Sequence, residues 1–299
     1  MMKWLWGGRR LRRQGILGIN RRNAEFIIAR NPQARISLVD DKIEMAHLCT
    51  RIGVMSPSIF SVLDKYTGRH QLAGLLGNHE EFVIKPARGA GGRGILVCVG
   101  RESDDFRLAE NRRISVHELQ MHCQDILAGI YSLGGREDRV IIQQRVQSTL
   151  LFPKSAYLGT SDIRIILHHY QPIMAMLRIP TRSSRGKANL HQGGIGVGID
   201  LKTGRTSHAI WNECDVSSHP DTMEKLLGYP IPWWGSLMQI AVKVARAVGL
   251  GFVGIDLIID EKHGPLLLEA NARPGLGIQL ANKRGLITTD STSEKRYGL

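Results

Sequence analysis

An α+β fold with mainly antiparallel sheets is what this sequence predicts, and three observations predict it. Short β-branched runs come in neighbouring pairs, DIRIILHH (162–169) with IMAMLRI (173–179) and FVGIDLII (252–259) with Pro265–Glu269. Amphipathic helical patterns lie between such pairs and do not alternate strictly with single strands. A glycine-rich loop is entered by one strand and left by another, in FVIKPARGAGGRGILVCV (82–99).

In chain order, Asp40-Asp41 precede KIEMAHL with acids at a helix N-terminus, and Gly53 ends that helix. VMSPSIF then reads as a short extended segment. Phe82–Lys85 and Ile95–Val99 are the two strands around the glycine loop. Ser115-Val116-His117-Glu118 is a capping box opening a helix whose Leu119, Cys123, Ile126, Leu127 and Ile130 share a face. Val140–Gln143 is a buried strand. A hairpin of 162–169 and 173–179 turns around Gln171-Pro172, and 181–194 is a polar, basic loop. Ser236–Val248 is an amphipathic helix with Leu237, Ile240, Ala241, Val244 and Val248 inward, stopped by Gly249. The final pair of strands closes the fold, and TTDSTSEKRYGL forms a tail.

Gly89, Gly91 and Gly94 satisfy G-x-G-x-x-G, yet the context excludes a dinucleotide site. A Rossmann loop must open a helix and lead to an acidic ribose ligand about twenty residues on. Here the loop leads into a strand, and Asp104 and Asp105 come too early. A glycine loop between antiparallel strands is instead a phosphate cover, because no Cβ blocks backbone amides from a polyanion. Kinases carry their lysine on the strand after such a loop, whereas Lys85 stands on the one before. No Walker A sequence occurs.

The chain has 299 residues, 42% of them hydrophobic, enough for one or two domains. Cys49, Cys98, Cys123 and Cys214 form no C-x-x-C pair, which fits a reducing, cytoplasmic setting. No apolar run approaches the ~20 residues of a membrane span, and the N-terminus lacks the order of a secretory signal. The net charge of +13 is partly local: Lys3, Arg9, Arg10, Arg12, Arg13, Arg21 and Arg22 precede residue 25 without an acid. With Trp4 and Trp6 this arm would suit an anionic membrane surface, giving a peripheral position at its inner face. Nucleic acid, an acidic protein or plain solvent would satisfy it equally. The chain lacks the aromatic platforms and basic recognition helix of a specific nucleic-acid binder.

Charge in the wrong place is the sharpest signal. Asp256 lies inside a strand that is otherwise apolar on both faces. Glu269 ends an apolar strand, and Asn271, two residues on, shares its side. Buried carboxylates are costly unless paired or metal-bound. Two carboxylates and an amide oxygen make a hard donor set suited to Mg²⁺, while pairing with an arginine such as Arg273 is the plainer alternative.

Asp41-Lys42, FVIKP, the glycine loop, VIIQQRV, DIR, NLHQGG, GIDLI and LLLEANARPGL occur in an order that resembles the ATP-grasp superfamily. The RimK-type and α-L-glutamate-ligase-related carboxylate–amine ligases are nearest, over roughly 40–280. ILGINRRNAEFIIARNP is similar to the opening motif of the latter group. The resemblance implies two α+β subdomains clamping ATP. They would follow a basic arm and lead-in (1–40): an N-terminal part (41–145, lid loop 86–94), a C-terminal part (146–282), then a tail (283–299). It implies that Lys42, Lys85, Gly89, Gly91, Gly92 and Gly94 contact ATP phosphates, with Asp162 also at the nucleotide. Gln143, Gln144 and Val146, with Arg145, would line the adenine. Arg164, Arg178, Lys187 and Asn189 would serve the acyl phosphate, and His191 a loop structure. Asp256, Glu269 and Asn271 would hold Mg²⁺, or Mn²⁺ in its place. The implied partners are ATP, a carboxylate substrate such as an amino acid and an amine acceptor, and a homo-oligomer is compatible. Superfamily members usually carry an α/β domain ahead of the first lysine; here 41 residues precede Lys42. The rival classes are a catalytically silent ATP-binding regulator and a basic nucleic-acid binder.

Overall fold

The computed structural model describes residues 11–287 apart from 67–70, 78, 90, 103–104, 148–150, 153 and 155–158. The first ten residues of the basic arm and the TTDSTSEKRYGL stretch lie outside the described residues.

Helices α1 (Gln33–Asp40) and α2 (Lys42–Arg51) lead into strand β1 (Ile59–Leu63) and helix α3 (Gln71–Leu76). Strands β2 (Phe82–Pro86), β3 (Leu96–Glu102), β4 (Asp105–Leu108) and β5 (Arg113–Ser115), helix α4 (Val116–Leu127) and strand β6 (Val140–Gln143) follow. They build a six-stranded antiparallel sheet in the order β1-β6-β2-β3-β4-β5. Strands β7 (Asp162–His168), β8 (Gln171–Ile179), β9 (Ile195–Ile199), β10 (Thr206–Trp211) and β11 (Cys214–Asp215) come next. Helix α5 (Trp234–Val248), strands β12 (Phe252–Asp260) and β13 (Gly264–Asn271) and helix α6 (Ile278–Ala281) complete the fold. The second sheet runs β11-β10-β9-β8-β7-β12-β13, again antiparallel throughout.

Each sheet has its own core. Under the smaller one, Phe82, Ile84 and Phe106 pack against Leu119, Cys123 and Ile126 of α4. That helix opens with the expected capping box: Ser115 Oγ accepts from Glu118 N, and Glu118 reaches back to Ser115 N. It ends at Leu127, so Ile130 lies beyond it and is exposed, contrary to the face drawn from periodicity. The larger core gathers Ile165, Leu177, Ile255 and Leu257 with Leu237, Ala241, Val244 and Val248 of α5. Gly249, at φ +69°, caps α5 in the left-handed region that favours glycine. Met45, Leu48 and Cys49 of α2 join this larger core, although residue 41 had been the expected start of the N-terminal half.

Two further expectations change. The 162–179 hairpin turns at His169-Tyr170, both at positive φ, and Gln171-Pro172 already belong to β8. Strands β9 and β10 were not foreseen: IGVGI, with two glycines, gives only a weak strand signal. Within the basic lead-in, the chain is packed from Gly15 on, with Leu17, Phe26 and Ile27 buried. Two buried amides staple it. Gln279 Oε1 accepts from Leu17 N (2.8 Å) and Leu286 N (3.0 Å), and its Nε2 donates to Leu17 O. Asn31 Oδ1 accepts from Phe252 N, while its Nδ2 donates to Phe252 O and Ala272 O. No described helix is long and apolar enough to cross a membrane.

Candidate active site

An open cavity of about 250 Å³ lies between the sheets. From the smaller sheet and its approaches come Lys42, Lys85, Gly89, Gly91, Ile141 and Gln143; from the larger sheet comes the run Leu267–Asn271. Met45, Ala46, Pro57 and Ile59 add apolar wall. A flat heterocycle suits that wall, and a polyanion suits the lysines.

Lys42 is placed by Asp41, whose Oδ1 caps α2 by accepting from Ile43 N and Glu44 N. Arg88 and Arg139 hold the other Asp41 oxygen at 3.0 and 2.5 Å. Lys42 Nζ donates to Gly89 O at 2.7 Å. Lys85, on β2, is 8% exposed. Burial, then the charge of Lys42, pulls its ammonium down to about 7, although Glu269 acts in the opposite sense. The glycine loop lies across Ile130–Leu133: Gly89 bridges Ser132, Leu133 N donates to Arg88 O, and Arg93 donates to Ile130 O. From the other side Gln192 Nε2 donates to Gly91 O at 3.3 Å. Gly94 (φ +72°) is boxed in: a Cβ there would lie 2.6 Å from the Tyr131 ring.

The larger sheet carries the second charge group. Register sets Asp256 opposite both Arg164 and Glu269, and Asp162 opposite Arg178. Side chains directly opposite share a face, so one face collects all five. Arg164 grips Asp256 bidentately (Nε–Oδ1 2.7 Å, Nη2–Oδ2 2.6 Å). Arg178 Nη2 donates to Asp256 Oδ2 at 2.8 Å, and its Nε donates to Asp162 Oδ1 at 2.5 Å. Burial pushes the Asp256 carboxyl upward, but Arg164 and Arg178 outweigh it and hold the group below the ordinary carboxylate range. Asp162 moves the other way, up to about 6, because burial outweighs Arg178. Glu269 is also raised, by burial first and by Asp256 second.

A hard cation fits this end of the cavity, though not through the three equal ligands expected from sequence. Asp256 does not line the cavity, and both its oxygens are taken by guanidinium groups. Glu269 and Asn271 do line it. The pairing of Asp256 with Glu269 and of Leu257 with Leu267 leaves Leu268 as an extra residue. This bulge brings Leu267, Leu268 and Glu269 all to the cavity wall. Asn271 Oδ1 accepts from Arg273 N at 2.9 Å and keeps a second lone pair. A carboxyl raised by burial, beside an amide oxygen, is a donor set a divalent cation would relieve. Mg²⁺ commonly takes only one or two protein ligands and completes its shell with phosphate and water. Arg273 pairs not with these carboxylates but with Asp40.

Residues 21–294 match the family described as sugar-transfer associated ATP-grasp. The chain belongs to that ATP-grasp family. Among curated proteins it is 24% identical over 247 residues to a probable alpha-L-glutamate ligase of Maridesulfovibrio salexigens, covering 82% of this chain and 60% of that one. A probable alpha-L-glutamate ligase of Azotobacter vinelandii is 23% identical over 273 residues, with 90% and 68% covered. The chain thus spans 60% and 68% of the length of these relatives. Of solved structures, the D-alanine–D-alanine ligase from Bacillus anthracis complexed with ATP aligns with 82% of this chain and 58% of its own. The TM-score is 0.46 at 12% sequence identity.

Within this ATP-grasp chain the residues singled out from sequence do not all meet. Lys42, Lys85, Gly89, Gly91, Gln143, Glu269 and Asn271 border one cavity. Arg164, Arg178, Asp162 and Asp256 form the buried network beside it. Gln144 turns aside, its Oε1 accepting from Ser58 N, and Val146 packs with Ile258 and Leu266. Asn189 Oδ1 accepts from His191 N and caps a short turn, which agrees with a structural place for that segment. Lys187 is exposed, and its stem passes Gly92 of the lid, where a Cβ would lie 3.9 Å from Lys187 Cδ. Sequence reasoning missed Gln192, Asp41 with its two arginines, and Arg22 (none of which departs from its local pattern).

Proposed function

We propose that this chain is an ATP-dependent carboxylate–amine ligase that joins an amino acid, glutamate or a similar one, to an acidic peptide, protein or small molecule. The observation that carries the reading is the meeting of two lysines, a glycine loop, Glu269 and Asn271 around one cavity. In this reading the adenine lies against the apolar wall near Gln143, with Gln144 and Val146 as the hinge behind it. Lys42, Lys85 and the 86–94 loop receive the phosphates. A positively charged lysine and backbone amides stabilise the polyanion, and preorganised charge accounts for most of the catalysis in phosphoryl transfer.

A carboxylate oxygen of the substrate attacks the γ-phosphorus, and ADP departs with the bridging oxygen. The amine nitrogen then attacks the acyl carbon, inorganic phosphate leaves, and the amine's proton passes to solvent. Glu269 and Asn271, with Asp256 behind them, would hold Mg²⁺ (or Mn²⁺), which supplies charge neutralisation for the phosphates. Arg164 and Arg178 lie where charge develops on the transferring group, held in place by Asp256 and Asp162. Lys187 and Asn189 approach from the loop beneath the lid. Loop closure keeps water from the acyl phosphate.

The test is phosphate release with ATP, Mg²⁺ and a panel of amino acids and acidic peptides, with products weighed by mass spectrometry. The reading expects a product heavier by one amino-acid residue and no release from Glu269→Ala. Nucleotide binding without release under any acceptor would leave an ATP-binding regulator instead. For the N-terminal arm we propose an anionic membrane surface as partner. Removal of residues 1–14 is expected to abolish vesicle binding without loss of phosphate release, and equal vesicle binding would dismiss it.

A further inference from the structure

The segment Ile19–Ile28 contains a feature that nothing in the reaction above uses. Residues Arg22–Ile28 form a π-helical turn, closed by Ala29 N donating to Ala24 O at 3.3 Å. This geometry is rare, weaker than an α-turn, and concentrated at functional positions. It begins at Arg22, whose side chain reaches across the fold to the residues following the Glu269–Asn271 strand. Arg22 Nη1 donates to Pro274 O at 3.1 Å. Its Nε and Nη2 both donate to Asn23 Oδ1, at 3.1 and 2.8 Å. Nε and Nη2 form the guanidinium edge that binds a carboxylate with two parallel hydrogen bonds. Here one neutral amide oxygen, from an exposed neighbour, occupies it.

No carboxylate among the described residues pairs with Arg22. Burial first, and the charge of Arg273 second, disfavour its charged form. Arg273 is itself neutralised, with Nη1 on both oxygens of Asp40 at 2.9 and 3.0 Å. The set Arg22, Arg273 and Asp40 therefore keeps one uncompensated positive charge. Arg273 and Asp40 line the cavity, which ties that charge to the site. The Pro274-Gly275 turn separates Arg22 from Arg164, since a Cβ on Gly275 would lie 4.0 Å from Arg164 Nη1. The position is rigid as well, because Asn31 and Gln279 fasten both flanks of the segment.

We infer that Arg22, with Arg273 beside it, binds a second carboxylate of the substrate, one that is not activated, next to the reaction centre. This inference rests on the ligase reading and narrows its substrate to molecules with at least two carboxylates. The guanidinium edge exchanges Asn23 Oδ1 for two carboxylate oxygens, and the π-turn at Arg22 sets the direction of approach. One carboxylate held at Arg22 leaves the other free to face Arg164 and the phosphates. Arg22 is thereby a specificity-determining residue supplied by the segment ahead of α1.

Thermal unfolding of the full chain tests this with succinate, glutarate, L-glutamate, the monoamide of glutarate and inorganic phosphate as probes, and with ATP·Mg²⁺ in parallel. We expect at least one dicarboxylate to raise the wild-type Tm and the monoamide to raise it far less. Arg22→Gln loses the dicarboxylate shift. Arg22→Lys, which keeps the charge but not the fork, binds at least about tenfold more weakly. ATP raises the Tm of all three proteins equally, which also shows that the variants are folded. An unchanged dicarboxylate shift in Arg22→Gln or in Arg22→Lys overturns the inference. So does a wild-type protein that responds to none of the dicarboxylates, or to phosphate alone. Loss of the ATP response in wild type would strike the nucleotide reading, and a persisting dicarboxylate shift would then leave the Arg22 site standing.

Discussion

The two charge groups facing the cleft solve opposite problems. On the larger sheet, Arg164 and Arg178 are matched against Asp256 and Asp162, and every contact is short and mutual. On the smaller sheet, Lys85 is just as deeply buried but has no carboxylate within salt-bridge distance among the described residues, and Lys42 settles for a carbonyl oxygen. A buried charge that is paired holds a shape. One that is left unpaired is held at a cost, which a ligand of the opposite sign recovers. The contrast therefore separates the part of the site that positions from the part that waits.

The largest effect should come from breaking the paired side. Asp256→Ala strands the Arg164 guanidinium in the interior and leaves Arg178 with Asp162 alone, and losing one partner of a buried pair costs about 3–5 kcal/mol. Thermal or urea unfolding will show a markedly less stable protein, with phosphate release lost as well. A variant as stable as wild type would mean that the network is dispensable scaffolding. On the unpaired side the sign reverses. Lys85→Met should lower phosphate release by about 100- to 1000-fold yet stabilise the nucleotide-free protein. Unfolded, Lys85 keeps its proton up to its ordinary pKa of 10.5; folded, it releases it near 7. Between those values the unfolded chain binds more protons, so wild-type stability rises with pH. The advantage of Lys85→Met is then greatest below pH 7 and fades toward 10.5, which denaturant midpoints at a series of pH values will check.

These differences also mark what the sequence disclosed. Asp256 and Glu269 were visible because a carboxylate in a run such as GIDLII violates its surroundings. Lys85 was visible beside its glycine loop. The partners of Asp256 were not, because they are chosen by cross-strand register, Asp256 against Arg164 and Asp162 against Arg178, which one sequence does not display. For the same reason the sequence suggested a three-ligand cation site, whereas the fold commits Asp256 to arginines. Strand β9 escaped because its glycines carry no β signal. They are needed since a Cβ on Gly198 would lie 2.4 Å from Ala281 O. The α+β class and the mainly antiparallel pairing were accessible in outline from hairpin pairs and helical patterns, whereas the strand orders were not.

A smaller effect sharpens the comparison at the lid. Gln192 is a polar link from the basic loop to the glycine loop, and its exposed hydrogen bond to Gly91 is worth about 0.5–1 kcal/mol. Gln192→Ala should raise KM for ATP about two- to fivefold with little change in kcat, as steady-state phosphate release will show. A fall in kcat without any change in KM would place Gln192 in the chemistry and not in lid closure.

The charge left unpaired at Lys85 is best tested by counting protons on nucleotide binding. Calorimetric titration with ATP·Mg²⁺ at pH 8, in buffers of differing ionisation enthalpy, reports net proton uptake. With a group near 7, most Lys85 side chains are neutral at that pH and become charged against the phosphates. Wild type should therefore take up close to one proton and Lys85→Met none beyond the nucleotide's own. Equal uptake by the two proteins, or none by either, would contradict the assignment of Lys85 to the phosphates.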